Sequence, residues 1–157
     1  MASNVFSEQN LNRDALPQLA EVYDRVYHYL IFNSSHRDTI LQILGQIIVA
    51  RDQSHEVDVF GSPRNSSSPK RIERILGLKH GDVMRILKDV QYLLELEGRD
   101  IKIRHSSFVT FLQERSRSRE LYVDIRGAQF TLQVAAPIRR IFDLEGTRNS
   151  STSTTHA

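Results

Sequence analysis

The fold is decided by KRIERILGLKHGDVMRILKDVQYLLELEGRDIKIRHSSFVTFLQERSRSRELYVD, residues 70–124. Its first part predicts a short helix over residues 71–76 that ends in a turn at Gly77. A longer helix is predicted over residues 82–96, because apolar residues recur there at steps of three and four and so share one face. The opposite face of this helix carries charges of both signs.

A β-hairpin and a further helix complete the stretch. Residues 97–100, Glu-Gly-Arg-Asp, are typical of a tight hairpin turn, and residues 101–104 follow as a strand. The last helix is expected to open within residues 105–108, with Ser106 as the N-cap of the helix that follows it. Helix, turn, helix, hairpin and helix in this order predict a mainly α, winged-helix-like domain in which the small β-hairpin is the wing.

Two more helices are predicted ahead of this stretch. Residues 16–32 carry an apolar stripe at three- and four-residue steps. Residues 36–50 are apolar on nearly every side, a surface that only a helix at the centre of a domain can hide. Ser35 and Asp38 have the spacing of a capping box for this second helix. We expect one core shared by Ile40, Leu44, Ile47, Ile86, Leu87, Val90, Leu94 and Phe111.

The composition divides the chain into three parts. Residues 1–15 are polar and are predicted to be disordered, residues 16–125 form the winged-helix-like domain, and residues 126–157 form a poorly defined tail with low-complexity coil. Within the domain, residues 52–69 contain many serines and turn formers and are predicted to be a mobile loop. Alternating residues leave two further strands open, at residues 56–60, beside the wing, and at Phe130, Leu132 and Val134.

Missing motifs argue against catalysis. The chain has no cysteine, which excludes disulfides, thiolate zinc sites and cysteine nucleophiles. It has neither the G-x-x-x-x-G-K-[ST] motif of a phosphate-binding loop nor the G-x-G-x-x-G motif of a dinucleotide site, and its histidines lack metal-ligand spacing. We therefore predict a protein that is not an enzyme and has no catalytic residues, no metal site and no cofactor.

The hydropathy of the chain predicts no membrane contact. Its longest strongly apolar stretch, residues 39–50, is shorter than the roughly 20 residues that cross a bilayer. No basic segment followed by an apolar run marks a secretory signal at the N-terminus. These features predict a soluble, cytoplasmic protein.

A weak basic balance leaves DNA binding as the alternative function. The net charge is only +2, although the isoelectric point is about 9.1. A DNA-binding winged-helix transcriptional regulator would contact nucleic acid through the helix predicted over residues 82–96 and through the wing. The basic residues there are Arg85, Lys88, Lys102 and Arg104. Acidic residues interrupt this group, and Asp89 is spaced to pair with Arg85, so at most weak and non-specific binding is expected.

The first predicted helix also offers a surface for a protein partner. Its apolar residues wrap too far around the helix for a single packing face. Aromatic side chains dominate this excess and are the candidate contacts, together with a possible self-association of the chain. They are Tyr23, Tyr27, Tyr29 and Phe32.

A set of short motifs links the chain to a known family: residues 43–45 (ILG), 75–78 (ILGL), 81–83 (GDV), 105–112 (HSSFVTFL) and 116–124 (SRSRELYVD). Together they resemble the winged-helix segment that follows the NTPase domain in fungal NACHT-type (STAND) signalling NTPases. The resemblance covers residues 16–124, and its most specific part is residues 105–124.

The resemblance implies a non-catalytic regulatory module that acts through protein contacts. In that family the module is an arm that packs on the NTPase domain and helps to hold it in an ADP-bound resting state. In related plant and animal immune NTPases, a histidine at the start of the helix after the wing strand senses the β-phosphate, and His105 stands at that place. The chain has no phosphate-binding loop, so it resembles a detached or truncated piece whose NTPase partner is supplied in cis or in trans.

Overall fold

A computed structural model describes residues 15–53 and 66–134, with side chains from residue 18 onward. These residues are mainly helical and include one two-stranded antiparallel hairpin, which confirms the predicted fold class. The helices are α1 (Ala15–Phe32), α2 (Arg37–Asp52), α3 (Pro69–Leu76), α4 (Asp82–Ile86), α5 (Ser106–Gln113), α6 (Arg115–Ser118) and α7 (residues 125–134). The strands are β1 (Leu94–Glu97) and β2 (Asp100–Ile103), and two 3-10 segments lie at Leu87–Leu93 and Arg119–Leu121.

Helix α2 lies at the centre of the core, as its apolar surface predicted. Every residue from 43 to 50 is buried, and α2 contacts α1, α3, α4 and β2. Helix α5 contributes Phe108 and Phe111, both fully buried. The eight residues that we expected to share a core are all buried in one cluster.

The long helix predicted over residues 82–96 is wrong beyond Ile86. The α-helix ends there, a 3-10 segment continues to Leu93, and Leu94 begins β1. The backbone of this segment kinks at Val90, where φ is −118° and ψ is 15°. The apolar spacing misled because Leu87, Val90 and Leu93 are buried on either side of and at this kink, as they would be along one continuous α-helix. Residues 94–96, which the prediction placed in the helix, belong to β1 and pair with β2.

The hairpin itself is confirmed. Its register pairs Glu97 with Asp100, so the loop is Gly98-Arg99, and Gly98 has a φ of 64°, which glycine adopts without steric cost. Strand β2 begins and ends one residue earlier than predicted. The register also places four apolar side chains on one face of the hairpin, namely Leu94, Leu96, Ile101 and Ile103.

The end of the predicted mobile loop is part of the packed structure. Ser67 is buried, accepts a backbone hydrogen bond from the N–H of Ile101 at 3.2 Å and donates its hydroxyl to the Ile101 carbonyl at 2.8 Å. Ser66 donates to the Asp100 carboxylate at 2.5 Å. The prediction of a mobile loop is therefore wrong for residues 66–69. The possible strand at residues 56–60 lies outside the described residues.

Helix α7 lies where the alternation of Phe130, Leu132 and Val134 had left a strand open. Residues 125–134 are helical and pack across α2. The contact depends on Gly45, where a Cβ would stand 3.2 Å from the Cβ of Ala128. The Gln46 side-chain amide donates to the Ala128 carbonyl at 3.0 Å. Apolar alternation indicates a strand from the local sequence alone and takes no account of packing against α2. The packed part of the chain extends past residue 125, the predicted end of the domain.

Neither predicted serine cap is present. His36 and His105 occupy the N-cap positions of α2 and α5, and neither position makes a side-chain capping bond. Asp38 instead contacts Arg37 at 3.2 Å. Serine and aspartate spacing indicated capping, but the backbone placed each helix start one residue away from the predicted position.

Candidate interaction surface

Helix α1 is attached to the rest of the domain by one side. The ring of Tyr27 lies 4.8 Å from the ring of Phe108 and 5.5 Å from that of Phe111, and its hydroxyl is hydrogen-bonded to the Ser107 hydroxyl at 2.9 Å. Ile31 is fully buried beside it. Tyr27 is 2% exposed, so its predicted role as a partner contact is wrong. It is an anchor of α1 on α5.

Polar contacts hold the same side of α1 against the segment that follows α5. Arg117 donates to both carboxylate oxygens of Asp24, at 2.6 and 2.9 Å, and to Glu114 at 3.3 Å. The hydrogen bond that Arg117 donates to Asp24, opposed by partial burial, raises the pKa of Arg117. Bidentate geometry fixes the orientation of both partners. The pair sets how α1 lies on α6.

A second polar contact lies one turn further along α1. His28 Nε2 is 3.1 Å from Glu120 Oε1. A hydrogen bond from its own backbone N–H, and then the contact with His28, lower the pKa of the Glu120 carboxyl. The two side chains are 35% and 46% exposed, so this contact contributes little to stability. It shows which side of α1 faces Glu120.

The other side of α1 is apolar and exposed. Six large side chains there are between 46% and 69% exposed, and no described residue covers them. This set is the α1 surface: Leu19, Val22, Tyr23, Val26, Tyr29 and Phe32. Tyr23, Tyr29 and Phe32, which we predicted as partner contacts, are exposed. Leu19, Val22 and Val26 were not among the predicted contacts, and the width of the apolar face was the signal that could have found them.

The edges of the α1 surface differ. On one edge the Tyr23 ring stacks on that of Tyr27, with ring centroids 6.1 Å apart. On the other edge Phe32 stacks on His28 at 5.3 Å and lies 5.6 Å from the Arg37 guanidinium. Both edges are thus held by the chain's own side chains, and the middle of the surface is open.

Three of the four basic residues predicted to contact DNA have partners within the chain. Arg85 pairs with Asp82 at 3.0 Å rather than with Asp89, and this contact lowers the pKa of Asp82. Lys102 pairs with Glu97, and Arg104 Nε donates to the Leu94 carbonyl at 2.8 Å. Among the described residues, only Lys88 of this group lacks an ion-pair or hydrogen-bond partner.

Asp89 is held elsewhere. Its carboxylate accepts a hydrogen bond from the Ser34 hydroxyl at 2.5 Å, which connects the end of α1 to the 3-10 segment. The predicted i,i+4 pair with Arg85 fails because the backbone leaves the α-helical path after Ile86.

His105 is exposed, as a residue that contacts a group outside its own domain must be. It has an extended backbone, with φ −118° and ψ 122°, and directly precedes α5. Its position at the domain surface is compatible with the role that the family resemblance implies.

The hollows of the described residues include two open ones. One, of about 280 Å³, lies between the 3-10 segment and the hairpin, where Leu87 and Ile101 line it and Lys88 and Arg104 border it. The other, of about 500 Å³, lies between α2, α3 and α7. Within the described part of the chain, no group of histidines and carboxylates could hold a metal ion, and no helix is long and apolar enough to cross a membrane.

Comparison of the chain with protein-family models, with curated proteins and with solved structures finds no match. The interpretation of the surface therefore depends on its own geometry and chemistry.

Proposed function

We propose that this chain is a non-catalytic, winged-helix interaction module of a NACHT-type signalling NTPase. The observation that carries the proposal is the α1 surface, a row of large apolar side chains on an otherwise well-packed helix. Exposed apolar area of this kind is costly in water and typically marks a protein contact. The family is inferred from the resemblance of the motifs within residues 43–45, 75–78 and 105–124.

The proposed action is regulatory. The module packs against an NTPase domain, in cis or in trans, and favours its ADP-bound state. His105 supports this action because it is exposed at the start of α5 and can reach a phosphate outside the domain. A cationic or hydrogen-bonding imidazole at that place would favour a bound diphosphate.

Nucleic-acid binding is less well supported. Partners within the chain hold Arg85, Lys102 and Arg104, and a DNA contact would have to break these interactions or share them. Glu95 and Glu97 add negative charge on the outer face of β1. A wing of mixed charge gains little from counterion release.

The test is a calorimetric titration of the purified chain into a NACHT-type NTPase domain of the same source, loaded with ADP or with a non-hydrolysable ATP analogue. Tighter binding to the ADP form, weakened by His105→Ala, is the expected result. Equal or absent binding to both forms would reject the regulatory role. A parallel titration with random duplex DNA at physiological salt tests the alternative, which a nanomolar affinity resistant to competitor DNA would establish instead.

A further inference from the structure

The middle of the α1 surface has the spacing of a coiled-coil seam. Leu19, Val22, Val26 and Tyr29 follow one another at steps of three, four and three residues. This is the a/d repeat by which two helices pack side by side. Each of the four is exposed, by 52%, 54%, 46% and 69%. A seam of this kind indicates that the occupant of the α1 surface is another helix.

The seam points away from the domain. At about 100° per residue, its four residues are centred about 150° around α1 from Asp24 and Tyr27, which contact α6 and α5, and from the buried Ile31. A second helix can therefore lie along the seam without displacing any contact that attaches α1 to its own domain. The docked side and the free side of α1 are independent of each other.

The geometry points to a second copy of this chain as the occupant, with its α1 parallel to the first. This inference deepens the proposed function, on which it rests, by naming the partner of the α1 surface. An a/d seam is its own complement, since each residue fits between residues of the same pattern on an identical helix. No other described element of the chain presents such a seam.

The charge beside the seam selects the parallel orientation. Arg25 is exposed and occupies the g position next to the seam, and the e positions on the other side are Tyr23 and Leu30. In a parallel pair, g faces e of the partner, so Arg25 meets apolar or aromatic side chains. In an antiparallel pair, g faces g, and the two Arg25 side chains would repel each other.

The size of the contact sets its strength. Helix α1 has 18 residues and is about 27 Å long. A pair of such helices buries less than the roughly 800 Å² per partner of a standard interface. We expect a reversible dimer with a dissociation constant on the order of 10–100 μM, well above the nanomolar values of obligate dimers.

Sedimentation equilibrium of the full chain over a range of concentrations tests the dimer. Val22→Glu should raise the dissociation constant at least about tenfold. The matched control is Leu96→Glu, since Leu96 has a similar exposure of 58% but lies on β1, and this variant should dimerise as the wild type does. A wild-type chain that is monomeric at about 500 μM, or equal weakening by both variants, would overturn the inference.

Disulfide cross-linking tests the orientation, because the chain has no cysteine of its own. In a parallel pair Val26 faces Val26, so Val26→Cys alone should give a cross-linked dimer under mild oxidation. In an antiparallel pair Val26 faces Val22, and a cross-link would form only between Val22→Cys and Val26→Cys chains. That second pattern would overturn the parallel arrangement.

The outcomes separate this inference from the proposed function. His105→Ala should weaken binding to the ADP-loaded NTPase domain and leave the dissociation constant of the dimer unchanged, since His105 directly precedes α5 and lies outside the α1 surface. Loss of that affinity in Val22→Glu would show that the NTPase domain itself covers the seam, which contradicts the second copy but keeps the interaction module. Normal dimerisation without NTPase binding would instead reject the proposed function alone.

Discussion

The carboxylate of Glu73 caps α4 from another helix. Glu73 Oε1 accepts hydrogen bonds from the backbone N–H of Gly81 at 2.8 Å and of Val83 at 3.4 Å. Glu73 lies on α3, is only 5% exposed, and its Oε2 is 3.4 Å from His80 Nδ1. The side chain thus satisfies backbone donors that no cap residue of α4 reaches.

Replacing Glu73 should test this cap. Glu73→Ala leaves the N–H groups of Gly81 and Val83, of which Val83 is buried, without this acceptor, and we expect a loss of about 1–3 kcal/mol in the free energy of unfolding, measured with urea. Glu73→Gln keeps an acceptor oxygen and should cost less. Glu95→Ala, at an exposed position of β1, is the control and should change stability by less than about 0.5 kcal/mol. Equal effects at both positions would refute the capping role.

Replacing Leu87 by alanine should show how much the 3-10 segment contributes to the stability of the core. Leu87 is 3% exposed and lies in the main apolar cluster. Leu87→Ala should destabilise the fold by roughly 2–5 kcal/mol, because it removes buried methyl groups and leaves a cavity. Met84→Ala, at a side chain 44% exposed, is the control and should cost much less. A loss below about 0.5 kcal/mol at Leu87 would mean that its environment is wrongly described.

Gly45 should tolerate no branched side chain. A Cβ there would lie 3.2 Å from Ala128 Cβ and 3.3 Å from Val123 Cγ1, so Gly45→Val must push α7 away from α2. The expected cost is about 1–3 kcal/mol, accompanied by faster amide hydrogen exchange in residues 125–134. Unchanged exchange in α7 would contradict the contact with α2.

Replacing Arg119 by glycine should increase the stability of the fold. It has φ 51° and ψ −113°, a conformation that side chains with a Cβ rarely adopt. We expect Arg119→Gly to stabilise the fold by about 1 kcal/mol, since relief of backbone strain exceeds the entropy that glycine adds to the unfolded chain. Arg119→Ala keeps the strain and should not stabilise. Thermal unfolding of the three proteins would decide, and a lower melting temperature for the glycine variant would show that the arginine side chain matters more than its backbone.

The isolated chain should neither bind nor hydrolyse ATP. It lacks the motif whose backbone amides and lysine hold the phosphates. Calorimetry with Mg-ATP should therefore give no heat of binding, and release of phosphate should stay at the background rate. Binding of ATP with micromolar affinity would require a site of a different kind and would contradict the prediction that the chain binds no nucleotide cofactor.

Part of the fold could be predicted because local pattern and packing agree there. The all-round apolar surface of residues 36–50 leaves a central helix as its only stable place, and α2 is that helix. Glycine in residues 97–100 likewise indicates a hairpin turn, and the observed φ of Gly98 agrees. The exposed aromatic residues Tyr23 and Tyr29 followed from an apolar face too wide for one contact.

Only the tertiary structure decided the rest. Leu94 satisfies the spacing of a helix, yet it pairs with Ile103 in the hairpin and is buried there. Tyr27 and Tyr29 are two residues apart on one helix, and the sequence treats them alike. Tyr27 is buried because Phe108 and Phe111 cover it, whereas Tyr29 is exposed because no residue in the described part of the chain covers it. The sequence by itself determined which residues are apolar and at what period they recur, but the partners of each face come from distant parts of the chain, and long-range packing selects among faces that local periodicity leaves equivalent.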